Sequence, residues 1–124
     1  MNGPLNDLIE ALREELRQYG EMLARFDDQV EDVSRNASAA ALDGAALLHD
    51  QSMAIEKARR RREEAQRELA GQLRLAKQGS LTEVVPWLPQ KYQPLMRALV
   101  EECHRLPQAI ERRIRQNRQL TAKR

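Results

Sequence analysis

The amino-acid sequence predicts an all-α protein: an elongated, antiparallel, coiled-coil-like bundle of three helices, with a short connecting helix before the third. Two observations carry that expectation. Ala, Glu, Lys, Leu and Arg fill 67 of the 124 positions, a bias that marks long helices when it is joined to helical periodicity. The periodicity is present: Leu5, Ile9, Leu12, Leu16, Tyr19, Leu23, Phe26, Val30, Val33 and Ala37 follow one another at alternating steps of four and three. That spacing keeps one narrow apolar stripe facing its neighbours along a helix of roughly 50 Å, at about 1.5 Å per residue.

The first helix therefore spans 5–36. Leu8 and Met22 widen its stripe on one flank, which suits more than one neighbour. Gly20 is its weak point, costing about 1 kcal/mol relative to alanine. The segment 34–44, with Asn36, Ser38 and Asp43-Gly44, reads as a turn or an alanine-rich link. A second helix follows over 42–78, with Gly79 as its terminator. Its stripe is poorer: Leu48, Ile55, Ala58, Ala65, Leu69, Leu73 and Ala76. Between Glu56 and Glu68 only two alanines are apolar, so this middle section either projects from the bundle or packs loosely.

Ser80-Leu81-Thr82-Glu83 has capping-box spacing and predicts a short helix over 81–85, closed by Pro86. Trp87-Leu88-Pro89 then makes an apolar corner. Trp87 either plugs the end of the bundle, as a lone tryptophan usually does, or anchors a partner. The third helix spans 92–122, with Pro94 in its first turn. Pro107 lacks the amide that would bond the Cys103 carbonyl and predicts a kink.

One domain, 1–124, is expected from this length. No run of eighteen apolar residues exists, the N-terminus lacks the pattern of a secretory signal, and the single Cys103 suits a reducing compartment. A cytoplasmic protein without a membrane span is the expectation. Catalysis has little to stand on. His49 and His104 lie far apart, Cys103 and His104 are adjacent and so project differently from a helix, and there is neither a Glu-x-x-His pair nor a Gly-rich phosphate loop. No catalytic residue, metal, cofactor or small-molecule substrate is expected.

Charge is unevenly spread. Residues 1–50 carry 11 acids against 4 bases, and residues 51–124 carry 8 acids against 17 bases. Opposite halves attract when the chain folds back as antiparallel helices. The run Arg59-Arg60-Arg61-Arg62 lies among glutamates at i,i+4 spacing, Arg60 with Glu64 and Glu63 with Arg67, and reads as a solvated face. It has no aromatic residues for base stacking. Nucleic-acid binding through the basic end, Arg112 to Arg124, ranks last among the readings.

The third helix is the expected partner-binding element. Met96, Leu99, Cys103, Leu106, Ile110 and Ile114 form a continuous stripe, set against a second helix that offers only Ala58 and Ala65 over a long stretch. Apolar side chains facing so poor a surface stay partly exposed, and exposed apolar stripes mark interaction sites. Cys103 itself suits a small buried position.

The layout resembles the flagellar export chaperones of the hook–filament junction proteins, the FlgN-like family. Three features carry the resemblance, which covers nearly the whole chain. A long heptad helix ends in Ala41-Leu42-Asp43-Gly44 and leads to a charged second helix. Gly79-Ser80-Leu81-Thr82-Glu83-Val84-Val85-Pro86-Trp87-Leu88-Pro89 looks like that family's connector. Leu95, Leu99 and Leu106 lead to Ile110, Ile114, Asn117 and Leu120, similar to its closing pattern. Pro107 departs from it, standing near where the family tends to carry a polar helix residue. The resemblance implies a bacterial cytoplasmic chaperone that binds amphipathic terminal helices of hook-associated and junction proteins. It also implies delivery of that cargo to the export apparatus, and adds Asn117 and Leu120 to the third-helix residues, with Trp87 and Leu88 beside them. The competing class is a structural coiled-coil scaffold or rod-like accessory of the export apparatus.

Overall fold

The structure, a computed structural model, describes residues 2–34, 38–75 and 80–122, with side chains described over 3–28, 48–75 and 80–116. Four α-helices follow in order: α1 (Asn2–Ser34), α2 (Ser38–Gln72), α3 (Leu81–Val84) and α4 (Gln93–Ala122). Two 3-10 turns, Val85–Trp87 and Gln90–Tyr92, lie between α3 and α4. The protein is all-α, and the long helices form a bundle.

Side-chain pairs set the directions. Gln51 of α2 bonds the Gln18 side chain and Arg62 bonds Glu15, while Leu69 packs with Leu5 and Leu8. Rising numbers on α2 meet falling numbers on α1, so these two are antiparallel. On α4, Met96 and Val100 pack in the same cluster as Leu5 and Leu8, and Arg113 Nη1 lies 2.7 Å from Asp27 Oδ1. α1 and α4 therefore run parallel, giving an up-down-up bundle. α1 is the shared element: it packs along both others, which approach each other little.

That centrality explains the buried face of α1. Leu5, Leu8, Leu12, Glu15, Tyr19, Met22 and Phe26 are all buried, so the row 8, 15, 22 lies at the centre. The expected row of Leu16 and Leu23 lies half-buried at its edge. Two neighbours need a wide stripe, and α1 supplies one.

The core has two parts. A basal cluster joins Leu5, Leu8 and Leu12 to Leu69 and Ala70 of α2, Met96, Val100 and Cys103 of α4, and the connector. Each fully buried Leu or Met there contributes about 1.5–3 kcal/mol relative to exposure. A distal cluster holds Tyr19, Met22, Phe26, Ile55 and Ile110.

Several boundaries differ from the sequence expectation. Ser34 ends α1 and the helical backbone of α2 already includes residues 38–44, so these parts of the expected turn over 34–44 are helix. Its remaining part, 35–37, lies outside the described residues. At its other end α2 stops at Gln72, not 78. Arg74 takes φ 60°, its amide bonds the Gly71 carbonyl at 3.1 Å and the Leu75 amide bonds the Ala70 carbonyl at 2.8 Å. This is a Schellman stop, and Leu75 packs on the cluster that contains Ala70. The expected terminator, Gly79, lies outside the described residues. Ser80 caps α3 as expected, its Oγ accepting from the Glu83 amide at 3.2 Å. α4 continues through Pro107 without a break.

The arginine run is only half solvated. Arg60 is exposed and pairs with Glu56 at 3.3 Å, not with Glu64. Arg62 turns inward to Glu15. The middle of α2 therefore packs against α1 through charge. It does not project.

Candidate partner-binding cleft

Because α2 and α4 both lean on α1 and hardly on each other, a cleft of about 280 Å³ lies open between them in the distal half. Its floor is Tyr19 and Met22 of α1. One wall is Ile55, Glu56 and Arg59 of α2, and the other is Pro107, Ile110 and Ile114 of α4. Ile55 and Ile110 are buried while Ile114 is half-buried, so the walls present apolar edges without closing.

Beneath the floor lies a buried polar layer. Glu15 is 1% exposed. It accepts from Arg62 Nε at 2.8 Å and from the Tyr19 hydroxyl. Arg62, whose side chain is 17% exposed, also donates to Gln66 Oε1 at 2.9 Å. Burial first, and then the Glu15 carboxylate beside it, push the Tyr19 hydroxyl up to about 12, while Arg59 works in the opposite direction. The nearby Tyr19 hydroxyl in turn is the largest influence raising the Arg59 pKa. The net effect is a neutral phenol that cements the cleft floor to the layer below. Burial likewise pushes the Cys103 thiol up to about 12, with Glu15 adding to the rise. Such a thiol is a packing group and a poor nucleophile at neutral pH. A second bridge lies along the α1–α2 seam, where buried Gln51 accepts from Arg25 Nε at 2.9 Å and donates to the Gln18 side chain.

The expected site residues divide sharply. Met96, Cys103 and Ile110 are buried, and Leu99 and Leu106 are half-buried against the two clusters. The open stripe expected on α4 is thereby corrected: its neighbour is the broad face of α1, not the poor face of α2. Leu88 is buried in the basal cluster, which also removes it from the exposed candidates. Trp87 is 62% exposed, so it does not plug the bundle. The cleft unites Ile110 and Ile114, whereas Trp87 and Leu88 lie at the opposite end. The side chains of Asn117 and Leu120 lie outside the described residues.

Sequence reasoning missed Glu15, Arg59 and Arg62 as parts of this site. The signal was present. Arg62 occupies the stripe frame 55, 58, 62, 65, 69 of α2, and Glu15 occupies the row 8, 15, 22 of α1. A charged residue on an apolar row of each helix points to a buried pair.

Among the described residues, no group of three or more His, Cys, Asp and Glu side chains is placed to hold a metal ion, and no helix is long and apolar enough to cross a membrane. Fold and site together define a helical bundle with an open apolar cleft between its second and last long helices. No family model, curated protein or solved structure matches the chain.

Proposed function

We propose that this chain is a non-catalytic helix-binding protein, a cytoplasmic chaperone of the flagellar export type. It would hold amphipathic terminal helices of hook-associated and junction proteins apart until export. The observation that carries the reading is the distal cleft, whose apolar floor and walls suit the apolar ridge of a partner helix. The third-helix stripe contributes through Ile114 and the outer edge of Ile110. The sequence resemblance described above supplies the cargo class.

The test is calorimetric titration of the chain with peptides spanning the terminal helices of the host's junction proteins. Binding is expected with the unmodified chain and is lost in Ile114→Asp. That variant should melt close to the parent because Ile114 is only half-buried. Ile110→Asp is the wrong probe, since it would bury a charge and unfold the distal core. Absence of binding to any such helix, or binding that survives in folded Ile114→Asp, overturns the reading.

A self-associating scaffold is the second reading, favoured by Met53, 63% exposed on α2. Sedimentation equilibrium decides it, because a monomer at micromolar concentration rejects a scaffold.

A further inference from the structure

The distal cleft is small and its apolar strip is short. At about 280 Å³ it falls just below the roughly 300–1,000 Å³ of small-molecule sites, so it suits side chains presented by a macromolecule. Ile110 and Ile114 stand one helical turn apart on α4, about 6 Å at 1.5 Å per residue. Ile55 faces them from α2, over the floor of Tyr19 and Met22. A helix laid in this space seats two apolar side chains one turn apart, at i and i+3 or i+4.

The two walls differ in charge. On the α2 side the ionic groups are already engaged. Glu56 Oε1 lies 3.3 Å from Arg60 Nε, and Glu56 Oε2 lies 3.6 Å from Arg59 Nη1. Arg59 also stands beside the Tyr19 hydroxyl. On the α4 side Glu111 lines the cleft and is exposed. Glu111 has no ion pair or hydrogen bond among the described residues. Arg115, one turn further along α4, does not pair with it, and Arg113 is committed to Asp27 at 2.7 Å. Among the described residues lining the cleft, the one unengaged charge is therefore a carboxylate, and it stands on the α4 wall alone.

A helix packed between two others meets them through the residues that flank its apolar positions, and charges on those flanks set partner choice. A lysine or arginine on the flank turned to α4 reaches Glu111. The same residue on the opposite flank meets Arg59. We propose that the occupant of the cleft is an amphipathic helix that anchors two apolar side chains one turn apart and carries Lys or Arg on the flank turned to α4, where Glu111 receives it. This inference rests on the helix-binding function proposed above and adds the chemistry by which the partner is chosen.

Titration calorimetry on the full-length chain tests it, with peptides spanning the terminal helices of the host's junction proteins. Peptides that bind are expected to carry Lys or Arg beside the apolar stripe. Glu111→Gln weakens their binding about threefold, and Glu111→Lys about tenfold, because the first removes a partly exposed pair and the second adds repulsion. Melting temperatures stay close to the parent's, since Glu111 is exposed. Replacing the peptide's flanking basic residue with Glu restores affinity for the Glu111→Lys chain. Glu68→Lys, an exposed change of the same charge near the other end of α2, leaves affinity within about twofold of the parent. Equal affinity of the parent, Glu111→Gln and Glu111→Lys for a peptide that binds overturns the inference and leaves the helix-binding proposal standing. So does an equal loss with Glu68→Lys, which marks a general charge effect. Failure of the parent chain to bind any of these peptides overturns both.

Discussion

Replacing Arg62 with methionine isolates the energetics of the buried polar layer. Glu15 is 1% exposed and its principal partner is the Arg62 guanidinium, at 2.8 Å through Nε. Arg62→Met keeps most of the side-chain volume while removing the charge, so the buried carboxylate keeps its hydrogen bond from the Tyr19 hydroxyl but loses its cation. Breaking one side of a buried pair costs about 3–5 kcal/mol. Water reaches the outer end of Arg62, 17% exposed, and Tyr19 retains its bond, so the lower end, about 3 kcal/mol, is expected. Against a typical total of about 5–15 kcal/mol, that loss is large and lowers the melting temperature by about 10 °C in a chain of this size. The double variant Glu15→Leu with Arg62→Met removes both charges and should recover stability to within about 1 kcal/mol of the parent, or exceed it. Urea unfolding followed by circular dichroism measures all three proteins. A single variant within about 0.5 kcal/mol of the parent, the range of ordinary surface changes, would refute the buried-pair reasoning. A double variant as unstable as the single would refute it too.

Phe26→Ala should cost about 3–5 kcal/mol, the usual range for truncating a buried phenylalanine; an unchanged melting temperature would show that this face is not core. Arg74→Gly should raise stability by about 1 kcal/mol, because glycine adopts the left-handed conformation at φ 60° without the penalty of a Cβ, and a lower melting temperature would contradict the helix-stop geometry. The alkaline limb follows from Cys103 and Tyr19, raised from 9.0 and 10.0 to about 12 each. Between pH 9 and 12 the unfolded chain has lost protons that the folded chain still binds. Stability from these groups is therefore fully present below about pH 9 and falls as the pH rises to 12, by up to about 1.4 kcal/mol per pH unit for each group. Cys103→Ala should remove the part of the decline that begins near pH 9, and a melting temperature flat from pH 9 to 12 would sink this account.

The helical class and the three long elements were legible because period and composition agree over long runs. Leu5, Leu12, Tyr19 and Phe26 announce α1 without help from tertiary structure. What sequence concealed was the choice of neighbour. Judging α4 against α2 made its stripe look uncovered, whereas α1, wide enough to face both, buries Met96 and Cys103. The cleft was illegible for the same reason, since it exists only because α2 and α4 share α1 without closing on each other. The end of α2 was missed because glycine was sought at the left-handed position, and Arg74 holds it instead.

Trp87, the only tryptophan of the chain, stands on the connector with 62% of its surface in water. Its emission in the folded protein is therefore already close to that of a solvated indole, and unfolding will shift it little. A fluorescence melt would report a quiet trace while the core came apart. The same indole is an unoccupied reporter for the basal end, where any macromolecule that covers it would move the emission to shorter wavelength, without a label and without disturbing the cleft at the other end.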